Sequence, residues 1–183
     1  MYVVLFVLLC IVMCPIVLSR AKKKSRKESN VIFDEYINKN GLAVTKFIDI
    51  PDYDGSSKFV VDDVNKKIHY MSVKKDNPSN IIHRQFEYND VIKCELVKDS
   101  KIKLVEDKFS IFDNINQKEY IKKFGLRITF NDISFPFLDI YFINSVTGMT
   151  LTGLGNIVNT VNEWIAIMNI VIENGKRDKV NAV

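Results

Sequence analysis

The sequence contains few of the residues on which disulfide frameworks and most active sites depend. Its 183 residues include three cysteines, two histidines, four prolines and one tryptophan. Cys10 and Cys14 lie in an N-terminal apolar run, which leaves Cys94 as the only cysteine of the remaining sequence. One thiol cannot form an intramolecular disulfide, so a small disulfide-stapled secreted domain is excluded. In "VIKCELV" the alternation of residue types predicts that Cys94 is a structural thiol on a strand.

The two histidines offer no metal-ligand spacing. His69 and His83 both lie in strand-like sequence without a nearby cysteine or carboxylate at the distance along the chain that metal sites use. A metal pair would require the fold to bring them together, and the polar neighbours of His83 predict that it faces solvent. On a strand the adjacent carboxylates Asp62 and Asp63 would point to opposite faces, which argues against an acid–base pair unless the turn bends them.

Two short motifs resemble known ligand loops without completing them. "DYDG" contains Asp52 and Asp54 but lacks the remaining calcium ligands of an EF-hand, so a tight turn is favoured over a calcium site. Gly148 and Gly153 have the spacing of a phosphate-binding loop, but Leu154 stands where its lysine belongs. These patterns predict no catalytic activity, no metal and no cofactor, although an anion at the N-terminus of a following helix stays open.

Positive charge is concentrated in one short segment. The chain has 26 Lys and Arg residues against 22 Asp and Glu residues. Without the six basic residues of this segment, 20 basic residues face all 22 acidic ones, so the rest of the chain is slightly acidic. A nucleic-acid partner is therefore not expected, because such domains spread Lys and Arg over one face. The segment consists of Arg20, Lys22, Lys23, Lys24, Arg26 and Lys27.

An uncharged run precedes the basic segment. At about 1.5 Å per residue, Tyr2–Leu18 spans roughly 25 Å as a helix, the short end of a bilayer crossing. A cleaved signal peptide would need basic residues before the run and small residues at its end, and neither is present. We therefore predict an uncleaved transmembrane helix over residues 1–19, with the N-terminus outside and the rest cytoplasmic. The six basic residues would contact anionic lipid head groups, or would serve only as a stop-transfer flank.

The remaining sequence predicts a mainly β domain of the α+β class. A basic juxtamembrane segment with a short helix covers 20–40, with Ser29 or Asn30 as its cap. Strand-like runs with turns at "DDVNKK", "YND" and "VKDS" predict six to eight antiparallel strands. We predict a loop with a helical turn over 112–124, and an amphipathic final helix that ends at Gly175. The domain would thus span 41–175, followed by a tail over 176–183.

Four stretches resemble the bacterial pleckstrin-homology-like (PH-like) domains found in membrane-linked proteins of low-GC bacteria and their phages. They are "FVVDDVNKKIHYMSV", "FEYNDVIKCELVKD", "LRITFNDISFPFLDIYFI" and the final helix around Trp164. The resemblance covers roughly Gly41 to Asn174 and implies seven strands in two near-orthogonal sheets, a barrel or sandwich capped by the C-terminal helix. It carries no catalytic signature. Asp49, Asp52 and Asp54 replace the basic residues that phosphoinositide-binding members carry after their first strand.

The sequence thus leaves three functions open. The first is a membrane-anchored cytoplasmic interaction or scaffold module whose partners are the bilayer and another membrane or cytoplasmic protein. The second is a peripheral sensor of anionic lipids that uses the basic segment. The third is an enzyme acting on a lipid or envelope substrate, with a pocket around His69, Asp139 or Tyr141.

Overall fold

The computed structural model describes residues 27–51, 55–99, 101–103, 120–150 and 155–181. Lys27 is exposed at the first position of the first described helix. Within these ranges no helix combines the length and the apolar character needed to cross a membrane. Several predictions lie outside the described residues: the helix over 1–19, the loop over 112–119, Asp52, Asp54, Gly153, Leu154, Arg20, Lys22, Lys23, Lys24 and Arg26.

The predicted fold class is confirmed: the described residues form two antiparallel four-stranded sheets and end in a helix. In the first sheet the strands follow chain order, β1 Lys46–Pro51, β2 Gly55–Asp62, β3 Lys67–Lys74 and β4 Ile81–Glu87. The second sheet has the order β6-β5-β7-β8, with β5 Val91–Lys98, β6 Lys101–Lys103, β7 Tyr120–Phe130 and β8 Phe137–Thr150.

The chain divides into two compact units, of which the first holds the N-terminal helix. Of the described residues, this unit comprises 27–51 and 55–62 together with His69–Arg84. Its helix α1 covers residues 27–40, so Ser29 and Asn30 lie inside the helix and the predicted cap is wrong. Gly41 ends the helix as expected, in the left-handed conformation with φ +61° that glycine adopts at little cost.

The core of the first unit forms between α1 and the first sheet. Phe33 is fully buried, and Ile37 lies one turn further along the same helical face. Both pack with Val60 of β2 and with Met71 and Val73 of β3. Because these side chains leave water together, α1 is fixed on the sheet mainly by the hydrophobic effect.

Of the described residues, the second unit comprises Asp63–Ile68 and those from Gln85 onward. The predicted turns are confirmed: Tyr88–Asp90 forms a single 3₁₀ turn, and β5 returns as β6 through Asp99, which has φ +48°. The loop predicted up to residue 124 is wrong for its last five residues, because β7 already begins at Tyr120. There the buried Ile121 and Phe124 supply apolar contacts that the sequence pattern alone did not reveal.

The long C-terminal helix, α2 (Gly155–Asn181), packs on β5 and β7 of its own unit. Val161, Trp164 and Met168 recur at helical spacing and are buried, as the sequence predicted. The prediction that Gly175 ends this helix is wrong, because α2 continues through the expected tail to Asn181. Gly175 instead provides close packing, since a Cβ there would lie 2.3 Å from the backbone oxygen of Tyr88.

Candidate functional site

A row of polar and aromatic side chains crosses one face of the second unit's sheet. Backbone pairing places Glu95 of β5 opposite Arg127 of β7, and Arg127 opposite Asp139 of β8. In-register residues of neighbouring strands project to the same face, so these three side chains form one line. We call this surface the cross-strand stripe; it consists of Lys93, Glu95, Lys123, Arg127, Phe137, Asp139 and Tyr141.

The sequence produces the stripe through strict alternation. In "LRITF" of β7, Leu126 and Ile128 are buried while Arg127 between them points to the other face. Gly125 allows β8 to approach, because a Cβ at this position would lie 2.0 Å from the backbone oxygen of Ile140. Alternation in β8 is interrupted at Phe142, where the pairing register shifts.

An ion pair with two hydrogen bonds lies at the centre of the stripe. Arg127 Nε donates to Asp139 Oδ1 and Arg127 Nη2 donates to Asp139 Oδ2, both at 2.7 Å. The side chains are 25% and 18% exposed, so water screens the pair only partly. The hydrogen bond to Asp139 raises the pKa of Arg127, and this fork geometry fixes both groups in one orientation.

Two aromatic rings extend this pair into a mixed surface. The Arg127 guanidinium lies over the ring of Phe137, 4.5 Å from its centroid, and Phe137 is 49% exposed. Tyr141 Oη donates to Asp139 Oδ2 at 3.1 Å. Burial, followed by the charge of Asp139, raises the pKa of Tyr141, so the phenol remains a donor at neutral pH.

Two lysines border the stripe. Lys93 is half exposed, and its Nζ lies 2.9 Å from Oε1 of the buried Glu95. Lys123 is exposed, and its Nζ lies 5.5 Å from the centroid of the Tyr141 ring. The stripe therefore combines two internally neutralised charge pairs, one exposed aromatic ring and one further cation.

The first unit contains a second cluster of titratable groups, which we call the histidine chain. His69 Nδ1 and His83 Nε2 are 3.0 Å apart, and the two rings stack with centroids 5.2 Å apart. His83 Nδ1 lies 3.2 Å from Tyr36 Oη on α1, and His69 Nε2 lies 3.8 Å from Asp62 Oδ2 on β2. The histidine chain thus consists of Asp62, His69, His83 and Tyr36, contributed by four different elements of the fold.

The arrangement of the histidine chain does not suit a single metal ion. Asp62 and His83 approach opposite nitrogens of the His69 ring, so the three groups cannot converge on one ion. In the described part of the chain, no group of three or more His, Cys, Asp or Glu residues is arranged to hold a metal. Burial lowers the pKa of His83, which favours its neutral form.

The other residues singled out in the sequence have structural environments. Cys94 is a half-buried free thiol, and burial, aided by the charge of Glu95, raises its pKa to about 12. Asp62 is fully buried, whereas the Asp63 side chain is 51% exposed and pairs with Lys66 at 2.8 Å. Because β2 ends at Asp62, Asp63 lies in the following turn and not on the strand for which the opposition was predicted.

Sequence reasoning found only part of each candidate site. Asp139 and Tyr141 do come together, but Arg127 and Phe137 were not singled out, although their alternation with buried residues was a usable signal. The expectation that His83 faces solvent is wrong: it is only half-exposed and is hydrogen-bonded on both ring nitrogens.

Comparison with known proteins gives no relative: no family model, no curated protein and no solved structure matches the chain. The function is therefore argued from the two sites themselves. Of the two, the cross-strand stripe carries the more exposed side chains, and the histidine chain is the more buried.

Proposed function

We propose that this protein is a membrane-anchored cytoplasmic interaction module without catalytic activity, and that the cross-strand stripe binds a segment of a partner protein. The single observation that carries the proposal is the Arg127–Asp139 pair packed against the exposed ring of Phe137. Arginine and aromatic residues dominate the energy of protein interfaces, and a partner gains most from side chains that are already held in place.

The charges of the stripe indicate the chemistry of the partner. Arg127 and Asp139 neutralise each other, and Glu95 pairs with Lys93, so Lys123 supplies the remaining positive charge. We propose a partner segment that places an apolar side chain on Phe137 and a carboxylate near Lys123. Charges at the rim of such an interface mainly raise the association rate and the specificity.

We further propose that the domain is PH-like. Four consecutive antiparallel strands are followed by three long strands, β5, β7 and β8, and then by a C-terminal helix. Strand β6 has three residues and lies at the edge of the second sheet. Without β6, the described residues form seven strands and a final helix, as the sequence resemblance implies. PH-like domains bind peptides and other proteins as well as lipids.

The membrane anchor remains a proposal from the sequence. Residues 1–19 would cross the bilayer, and Arg20, Lys22, Lys23, Lys24, Arg26 and Lys27 would contact anionic lipid on the cytoplasmic side. Protease added to intact cells should leave the region after Gly41 undigested. Digestion of that region on intact cells would overturn the proposed orientation.

Site-specific photocrosslinking of the full-length chain in cells tests the binding surface. A photoreactive amino acid at position 137 should capture one defined partner, and Lys123→Glu should reduce that capture. The matched control is position 133, because Ile133 is fully exposed in the same unit but lies outside the stripe. Equal capture from positions 133 and 137, or capture unaffected by Lys123→Glu, would contradict the proposal.

An anionic-lipid sensor is the second candidate, favoured by the exposure of Lys27 in α1. For the full-length chain in nanodiscs, replacing the six basic residues by Gln should leave partner capture unchanged if the stripe alone binds. If capture then requires anionic lipid and the six cations, the sensor function replaces the proposed one.

A further inference from the structure

The histidine chain connects α1 to the sheet beneath it. Tyr36 belongs to α1, His83 to β4, His69 to β3 and Asp62 to β2. Asp62 and His69 are fully buried, whereas Tyr36 and His83 are half-buried. The cluster therefore runs from the interior of the first unit to a position that protons from solvent can reach.

Charge fixes the direction of the hydrogen bonds along this chain. An ionised Asp62 favours a proton on His69 Nε2, the nitrogen 3.8 Å from its carboxylate. His69 Nδ1 is then an acceptor, and His83 Nε2–H donates to it across 3.0 Å. His83 Nδ1 is left to accept from Tyr36 Oη–H at 3.2 Å. Every donor thus points inward, toward the buried carboxylate.

We propose that the histidine chain is an acid-sensitive latch, which fastens the C-terminal half of α1 to the first sheet at neutral pH and releases it in acid. Asp62 from β2 faces His69, Tyr36 from α1 faces His83, and the two histidines from β3 and β4 face each other. Among the described residues, these contacts join one titratable group from each of the four elements.

Proton uptake opens the latch in two steps. A first proton is accommodated, because one N–H still lies between His69 and His83 and the carboxylate of Asp62 offsets the charge. A second proton makes both facing nitrogens donors, so the hydrogen bond is lost and two imidazolium rings repel at contact distance. Tyr36 loses its acceptor already with the first proton, because the one nitrogen that stays unprotonated lies between the two rings and His83 Nδ1 has become a donor.

The pH range of this opening follows from the burial of His83. Burial lowers the pKa of His83 from its ordinary 6.5, so the unfolded chain binds this proton more readily than the folded one. The stability that the latch contributes is therefore complete above pH 6.5 and is lost as the pH falls toward the lowered value. The second proton enters last, in the most acid part of this range.

Release is confined to one part of α1. Two contacts of the preceding turn involve no histidine. Phe33 packs in the apolar core, and the carboxylate of Asp34 lies 3.2 Å from Lys58 Nζ. Tyr36 belongs to the latch, and Ile37 next to it gives up its packing on Val60, Met71 and Val73 when the C-terminal half of α1 is released. If the proposed membrane anchor is correct, Lys27 of the basic segment lies in α1 itself, and opening would change how tightly the domain is held at the bilayer.

Hydrogen exchange of the full-length chain in detergent micelles tests the latch. After correction for intrinsic exchange, amides of residues 36–40 should exchange about tenfold faster near pH 5 than near pH 7.5, while those of α2 should not change. His83→Gln keeps a donor and an acceptor but does not titrate, so it should abolish this pH dependence. The same pH dependence in wild type and His83→Gln would overturn the proposal.

Nitrogen NMR of the wild-type chain provides a second test that needs no variant. The sequence has two histidines, so ¹⁵N-histidine labelling reports directly which of the two nitrogens in each ring is protonated. We expect His83 protonated at Nε2 near pH 7.5 and two separate titration steps in acid. Two independent titrations near the ordinary histidine pKa would contradict the latch whether or not the chain binds a membrane or a partner.

Discussion

Gly175 of α2 lies directly against the backbone of Tyr88. A Cβ built on Gly175 would be 2.3 Å from the Tyr88 oxygen and 2.8 Å from the Asn89 nitrogen. These contacts are with backbone atoms, which cannot move aside by changing a rotamer. The close approach fixes the C-terminal half of α2 on the 3₁₀ turn of the same unit.

Gly175→Ala should therefore destabilise the protein. Alanine favours a helix interior by about 1 kcal/mol over glycine, but the overlap with backbone should cost about 1–3 kcal/mol more than this gain. Gly155→Ala is the matched control, because no atom of the described residues lies within 4 Å of a Cβ at that position. Thermal unfolding followed by circular dichroism should show a lower midpoint only for Gly175→Ala, and equal midpoints would contradict the packing role.

The Arg127–Asp139 pair should show energetic coupling. Asp139→Asn removes the charge from a doubly hydrogen-bonded pair and leaves a half-buried guanidinium, at a cost of about 1–3 kcal/mol. Combined with Arg127→Met, the loss should be clearly smaller than the sum of the two single losses. A double-mutant cycle from denaturant unfolding measures this difference, and additivity within about 0.5 kcal/mol would mean that the pair does not contribute.

Lys58 should contribute through its aliphatic stem more than through its charge. Its side chain is 4% exposed and its Nζ lies 4.4 Å from the centroid of the Phe47 ring, whereas its partners Asp34 and Asp49 are 64% and 44% exposed. Those carboxylates can be hydrated when the ammonium is removed. Lys58→Met should cost under about 1 kcal/mol, and Lys58→Ala about 2 kcal/mol. A larger loss for Met than for Ala would contradict this interpretation.

Cys94 should react very slowly with thiol reagents in the folded protein. A pKa of about 12 in place of the ordinary 9.0 lowers the thiolate fraction at pH 8 on the order of a thousandfold. The measurement requires Cys10→Ser and Cys14→Ser, so that the only remaining thiol is Cys94. Alkylation should become fast after unfolding in denaturant; fast alkylation of the native protein would show that Cys94 is activated.

The sequence predicted those features of the fold that depend on local periodicity. Trp164 and Met168 defined the buried face of α2, and the turn after Asp62 defined the hairpin between β2 and β3. Gly175 was misread because a glycine near a helix end is usually a stop, and the sequence contains no sign of the backbone that lies against it.

The two candidate sites were predicted only in part, because they depend on strand pairing. His69 and His83 are fourteen positions apart and meet only because β3 and β4 are neighbours in the first sheet. Arg127 meets Asp139 through the register of β7 and β8, which a register shift at Phe142 interrupts. A change of one residue in the strand register would move every side chain of that strand to the opposite face of the sheet. The sequence alone therefore does not determine such a site.

The contact between Gly175 and Tyr88 also has a consequence for synthesis on the ribosome. The helix and strands that pack around Phe33 are complete once residue 84 has emerged, so this part of the nascent chain can close early. The backbone of Tyr88 is covered only after Gly175 has been translated. Premature termination before that codon would therefore release a chain in which the backbone of Tyr88 stays uncovered, a substrate for quality-control proteases.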